Sequence, residues 1–235
     1  MHRHDLVYLQ SKEAFTLLNA SVPLSVVQAI DDIIDAKQPF TICRQTPHQP
    51  FKVATSHIEN HCKYRLALEL SASPTVTTLP LALEKLIPSL PNDIQKQTQH
   101  FVTQCRDLMA DVYAYGSFAN QYFSHLTFVT PTSDLDVLIV VNDMDKLAEI
   151  LIVIDAFKQM AQSTIDLRID GEVRLNGHDD VSFNELIHAL TSEISTVVVK
   201  TIYEVELQTM DVLLGWKPYE CECFISARKR SLIQR

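Results

Sequence analysis

The chain has 235 residues, 46% apolar and 21% charged, with a formal net charge of −9, the composition of a globular protein with room for one large domain or two small ones. An acidic balance of that size excludes broad electrostatic binding to a nucleic acid polymer, which needs a basic surface. The longest apolar runs, VLIVV (137–141) and ILIVI (150–154), fall far short of the roughly 18 residues that span a bilayer, and MHRHDLVYLQ lacks the apolar core of a secretory signal. A cytoplasmic protein with no membrane role is the expectation. The scattered, odd set of cysteines (Cys43, Cys62, Cys105, Cys221 and Cys223) suits reduced thiols. Cys221-Glu222-Cys223 reads as two ordinary thiols rather than half a metal site.

In chain order, PLSVVQAIDDIIDAK (23–37) carries a helical apolar rhythm at Val26, Val27, Ile30, Ile33 and Ile34. FTICR (40–44), FKVAT (51–55) and YRLALEL (64–70) read as strands. The polar, proline-punctuated 71–93 region marks a boundary, which predicts a smaller mixed α+β lobe over 1–80 and a second lobe over 90–235. A helix capped by Asn92 or Asp93 runs toward Met109. VYAYG (112–116) is a strand, 117–127 includes a helix, and LDVLIVV (135–141) suits the middle of a sheet. A long helix over 143–162 precedes a strand over 163–175, and Asn176-Gly177 marks a tight turn after it. Ser182 and Glu185 form a capping-box pattern, and 196–210 supplies one or two further strands. The fold class expected is α/β (α+β).

The chemistry concentrates in YGSFANQYFSHLTFVTPTSDLDVLIVV (115–141). Residues two apart on a strand share a face, so Asp134 and Asp136 project side by side, and two carboxylates that close call for a cation. A hard divalent ion, Mg²⁺ or Mn²⁺, is the natural partner when a substrate brings phosphates. Gly116-Ser117 follows a strand and precedes a helix, where backbone amides can approach a phosphate closely. No glycine precedes position 116. Downstream, TIDLRID (164–170) offers Asp166 and Asp170, four apart. This set fits metal-assisted phosphoryl-type transfer, with two metals about 4 Å apart and the third carboxylate completing the site and assisting deprotonation of the nucleophile. Asp170 is slightly favoured over Asp166 for that third position. The order of G-S, acidic-apolar-acidic strand and later acidic strand resembles the polymerase-β-like nucleotidyltransferase superfamily.

A closer likeness covers nearly the whole chain. RHDLVYL (3–9), YGSFANQYFSHLTFVTPTSDLDVLI (115–139), IDGEVRLNGHDDVSFNEL (169–186) and VVVKT (197–201) together resemble the malonate decarboxylase holo-acyl-carrier-protein synthases, also called phosphoribosyl-dephospho-CoA transferases. The resemblance implies a nucleotidyltransferase-type C-terminal lobe. The activity it implies is transfer of phosphoribosyl-dephospho-CoA from 2′-(5″-triphosphoribosyl)-3′-dephospho-CoA to a serine of the acyl carrier protein subunit of malonate decarboxylase, with diphosphate leaving. It further implies Asp134 and Asp136 as the metal pair and Gly116 and Ser117 as holders of the leaving diphosphate. Two departures stand out. Asn120 replaces the family's tryptophan and Ala54 its glycine; neither touches the carboxylates.

Cations for a phosphate-rich substrate are expected from Lys63 and Arg65, which share a strand face, and from Lys200 at a strand end. Arg3, His4 and Asp5 are candidates for the CoA-like part. The competing readings are another nucleotidyltransferase that adenylylates a small molecule or protein, and an inactive nucleotide-binding or interaction module. The substrate is expected between the two lobes.

Overall fold

The computed structural model describes residues 1–10, 15–19, 21–191 and 196–215. Trp216, Cys221-Glu222-Cys223 and the basic 227–235 stretch lie outside the described residues. The fold is mixed α+β, with two sheets.

The first sheet is antiparallel throughout. Its strands are β1 (Leu6–Val7), β2 (Phe15–Leu17), β3 (Phe40–Ile42), β4 (Phe51–Glu59) and β5 (Cys62–Leu70), in the spatial order β1-β3-β4-β5-β2. Asn60 and His61, both with positive φ, make the two-residue turn between β4 and β5, the backbone twist that long hairpins favour. Helix α1 (Leu24–Asp35) buries Val26, Ala29, Ile30, Ile33 and Ile34. That one-sided stripe shares a core with Phe40, Ile42, Val53, Leu66 and Leu68.

The second sheet comprises β6 (Leu81–Ala82), β7 (Ala110–Tyr115), β8 (Leu135–Val141), β9 (Ile169–Leu175), β10 (Asp179–Ser182), β11 (Thr196–Lys200) and β12 (Val205–Thr209), in the order β12-β11-β10-β9-β8-β7-β6. Its helices are α2 (Leu83–Leu86), α3 (Asn92–Asp107), α4 (Gly116–Ser124), α5 (Leu147–Ile165), α6 (Phe183–Thr191) and α7 (Met210–Leu214). Among the described strands the β8–β9 pair alone is parallel, as a crossover through α5 requires. Leu135, Val137, Ile139 and Val141 enter the core, beside a stacked Phe101–Phe157 pair that joins α3 to α5 at 4.2 Å between centroids. The alternate residues of β8 turn to the opposite face. Gly171, with φ +151°, lets β9 approach β8: a Cβ there would sit 1.8 Å from the Val137 carbonyl oxygen.

Two local expectations are corrected. The strand placed over 163–175 begins at Ile169, because α5 continues to Ile165. Its buried residues (Leu147, Ile150, Leu151, Ile154, Phe157 and Ala161) keep helical spacing as far as Ala161, and the partly buried Ile165, four residues on, packs against the same core, which overrides the β-branched preference of the Thr164-Ile165 step. Asp166 then stops the helix in a left-handed conformation, φ 55°, which short polar side chains tolerate. At the start of α3 the cap residue is Pro91 rather than Asn92 or Asp93, and no side chain caps it.

Backbone bonds tie the first sheet and its flanking loop to segments beside the second. Leu6 and Thr78 exchange N–H···O bonds of 2.8 and 2.9 Å, and the Gln45 amide donates to Ile202 at 2.7 Å.

Candidate active site

The open face of the seven-stranded sheet carries its polar side chains in register. Tyr115 pairs with Asp136, and Asp136 pairs with Asp170, across three adjacent strands. Asp134 sits one residue ahead of β8, where the Leu135 amide bonds the Arg168 carbonyl at 2.9 Å. Burial, then the Asp170 and Asp134 charges, push the Asp136 carboxyl up to about 6, against the pull of Lys63 and Arg65. The Asp170 Oδ1 accepts from Asn184 at 3.1 Å. Arg168 Nε lies 2.7 Å from Asp134 Oδ1, but out of line for a hydrogen bond, so that buried oxygen has no hydrogen-bond partner.

Gly116 closes against this row. Its φ is +67°, and a Cβ would fall 1.9 Å from Asp136 Oδ2, so only glycine lets α4 begin beside the carboxylate. Ser117 Oγ accepts from Lys63 Nζ at 3.0 Å. Burial, together with Arg65, lowers the Lys63 pKa, while Asp136 raises it, and its ammonium lies 5.5 Å over the Phe128 ring. The β4–β5 hairpin thus brings Lys63 to Ser117, and Arg65 to the cavity that holds Asp136.

That cavity, of 330 Å³, opens between the two sheets and is lined by His4, Thr55, Arg65, Tyr115, Gly116 and Asp136 among others. A larger hollow of 1200 Å³ lies along α4 and the 125–133 loop and contains Asp166 but neither Asp136 nor Asp170. Size does not make it the site, since the converging carboxylates are elsewhere. Asp166 therefore does not share a face with Asp170, as a continuous strand would have required. It bonds Gln162 of its own helix.

Arg3 and Lys200 meet at Glu172 instead of at the aspartate row. Lys200 Nζ is 2.8 Å from Glu172 Oε1, Arg3 Nη1 is 3.3 Å from Oε2, and His4 Nε2 is 3.0 Å from Oε2. Burial opposes the charged form of Glu172, but the His4 hydrogen bond, Arg3 and Lys200 together hold its carboxyl well below the usual range. Behind it, the buried Arg174 bonds Asp180 at 2.7 and 3.0 Å and the Arg3 carbonyl at 2.8 Å. His4, Glu172 and Asp180 bring ligand atoms within 4.8 Å of one another. Arg3, Arg174 and Lys200 already neutralise that cluster, so its chemistry is that of an ion-pair network. Sequence reasoning missed Glu172, Arg174 and Asp180. Glu172 follows Asp170 by two and so shares its face, while Arg174 and Asp180 flank the Asn176-Gly177 turn as cross-strand partners.

The aspartate row is where a cation fits. Asp134, Asp136 and Asp170 supply hard oxygen donors, Asp134 Oδ1 has Arg168 as its ion-pair partner but makes no hydrogen bond, and burial, then repulsion from Asp170 and Asp134, raises Asp136. Oxygen-only donors suit Mg²⁺ or Mn²⁺.

No helix among the described residues is long and apolar enough to cross a membrane. The sequence profile of the family described as phosphoribosyl-dephospho-CoA transferase MdcG C-terminal domain matches residues 81–211, more than half of the chain. A protein of Xanthomonas axonopodis pv. citri (strain 306), named phosphoribosyl-dephospho-CoA transferase, is 31% identical over 124 residues, 52% of this chain and 56% of that protein. A protein of the same name from Xanthomonas euvesicatoria pv. vesicatoria (strain 85-10) is 30% identical, again over 52% of this chain and 56% of its own length. The chain thus spans a little over half the length of the curated relatives it matches. No solved structure matches it.

Proposed function

The chain belongs to the phosphoribosyl-dephospho-CoA transferase MdcG family, and from that premise we propose its reaction. It takes 2′-(5″-triphosphoribosyl)-3′-dephospho-CoA, attaches the phosphoribosyl-dephospho-CoA unit to a serine of the malonate decarboxylase acyl carrier subunit, and releases diphosphate in the cytoplasm. The observation that carries this reading is the Asp136–Asp170 register, with Asp134 beside it and Gly116 against Asp136.

Within this nucleotidyltransferase reading, residues 1–80 form the substrate-binding lobe and 90–235 the catalytic lobe. Asp134, Asp136 and Asp170 hold Mg²⁺ or Mn²⁺. When bound, that ion offsets charge on the phosphoryl oxygens and on the departing diphosphate. Lys63 and Arg65, on one face of β5, grip the phosphates from the hairpin side. Gly116, Ser117 and the first turn of α4 receive them from below, where unpaired amides and the helix dipole favour an anion. Arg3 and Lys200, the other cations expected for the substrate, stand at Glu172, which pairs with both. Holding the phosphorus in line between the acceptor oxygen and the leaving oxygen is most of what such a transfer needs.

The test is a mass spectrum of the apo carrier subunit after incubation with the full chain, Mg²⁺ and either the triphosphoribosyl donor or ATP. Addition of the phosphoribosyl-dephospho-CoA unit is expected. Addition of AMP, or no addition from either donor, would refute the reading.

A further inference from the structure

The aspartate row already carries a cation of the chain's own. Arg168 Nε lies 2.7 Å from Asp134 Oδ1, and that oxygen is shut off from solvent. The contact follows from the strand ladder. Leu135 pairs with Ile169 and Asp136 with Asp170, and the Leu135 amide bonds the Arg168 carbonyl. One step earlier, Asp134 and Arg168 therefore stand side by side.

This contact is built to open. The guanidinium is out of line for a hydrogen bond to Oδ1, so charge attraction alone holds it there, without the paired bonds that make arginine–carboxylate contacts strong. The Arg168 side chain is 64% exposed, and its Nη2 reaches the Thr132 carbonyl at a long 3.5 Å. Exposed ion pairs of this kind are weak.

We propose that Arg168 is a displaceable cation: it holds Asp134 until that oxygen passes to the divalent ion, and then turns to the donor's phosphates. This rests on the transferase reading above and adds how its ion and its donor come to bind together. Two cations packed on one carboxylate oxygen repel, so Arg168 and the ion compete for Asp134. Ions of the Mg²⁺ class take ligands from substrate phosphates as well as from carboxylates. Neighbouring ligand oxygens on such an ion are about 3 Å apart. A phosphate that shares the ion with Asp134 thus comes within reach of a guanidinium that starts against that carboxylate, and offers it the two-oxygen pairing that arginine makes best. The exchange couples the two ligands. Alone, the ion has to strip Asp134 of its partner, and alone, the donor meets an arginine already engaged. Together they avoid both costs, which is positive coupling between metal and donor.

The experiment is calorimetry on the full chain, comparing wild type with Arg168→Gln and Arg168→Lys. It measures Mg²⁺ affinity without donor, and affinity for the triphosphoribosyl donor in chelator and in saturating Mg²⁺. We expect Arg168→Gln to bind Mg²⁺ about fivefold tighter. Its donor affinity should match wild type within about twofold in chelator and fall about tenfold in Mg²⁺. Arg168→Lys, which keeps the charge without the planar fork, should hold Mg²⁺ within about twofold of wild type and lose donor affinity in Mg²⁺ alone. Unchanged or weaker Mg²⁺ binding by Arg168→Gln would mean that Arg168 buttresses Asp134 under the ion, and would overturn the proposal. So would an equal loss of donor affinity with and without Mg²⁺, the mark of a long-range field, or a wild type that binds no Mg²⁺. The transferase reading is judged separately by the carrier assay: transfer alongside any of these results refutes the exchange alone, while the expected binding pattern without transfer to the carrier retains the exchange and refutes the transferase.

Discussion

Replacing Asp136 with asparagine should make the metal-free protein more stable at neutral pH while ending transfer. The folded carboxyl sits near 6 instead of at its ordinary 3.8, because of burial and the neighbouring Asp170 and Asp134 charges. The folded state therefore holds this proton more tightly than the unfolded state does. Stability is present while the group is protonated and falls as pH rises from about 4 through about 6. The difference corresponds to about 3 kcal/mol at 1.36 kcal/mol per pH unit. The carboxylate keeps some contact with water, so about 2 kcal/mol is the expected gain in the variant. For a chain of this size, that raises the melting temperature by about 4–8 °C at pH 8. The assay is thermal denaturation of both proteins in chelator, at pH 8 and pH 4. The gain should appear at pH 8 and vanish at pH 4, where the wild-type carboxyl is already protonated. Saturating Mg²⁺ should then stabilise the wild type and leave the variant unchanged. Equal stability at pH 8, or an equal gain at both pH values, would refute the electrostatic account of this site.

Asp166→Asn should transfer within about twofold of wild type, because Asp166 caps α5 away from the aspartate row; a loss beyond tenfold in kcat would contradict its placement. Gly116→Ala places a Cβ on Asp136 Oδ2 and forces a non-glycine residue to φ +67°. It should cost about 1–2 kcal/mol and weaken Mg²⁺ binding, read by calorimetry. The pair Lys63→Ala and Arg65→Ala, made together, should raise the donor KM at least about tenfold with a smaller change in kcat, since both groups bind phosphate before and during transfer. Steady-state kinetics with varied donor separates the two terms.

The candidate site was legible where chemistry leaves a local trace. Asp134, Asp136 and Gly116 are close in sequence, and their spacing on a turn-strand unit carries their geometry. Asp166 misled because the STIDLRID segment has the β-branched residues of a strand, while the helix before it is held by burial that no local window contains. Glu172 was hidden for a different reason. Its partners Arg3, His4 and Lys200 come from segments some 170 residues upstream and 28 downstream, and only tertiary structure brings them together. The first-sheet strands were readable in type but not in length: the β4–β5 hairpin is nine residues on each side, extended by cross-strand pairing beyond the apolar stretches that announce it.

The two-sidedness of β8 has a consequence for genetics. Leu135, Val137, Ile139 and Val141 face the packed interior, while Asp136 faces the cleft. A saturation scan of this strand should therefore separate two kinds of defect. Changes at the odd-numbered positions, and at the equally buried Leu138, would deplete the amount of protein in the cell. Under the proposed function, changes at Asp136 would leave a well-populated but inert protein, and only a measurement of both abundance and output would tell the two classes apart.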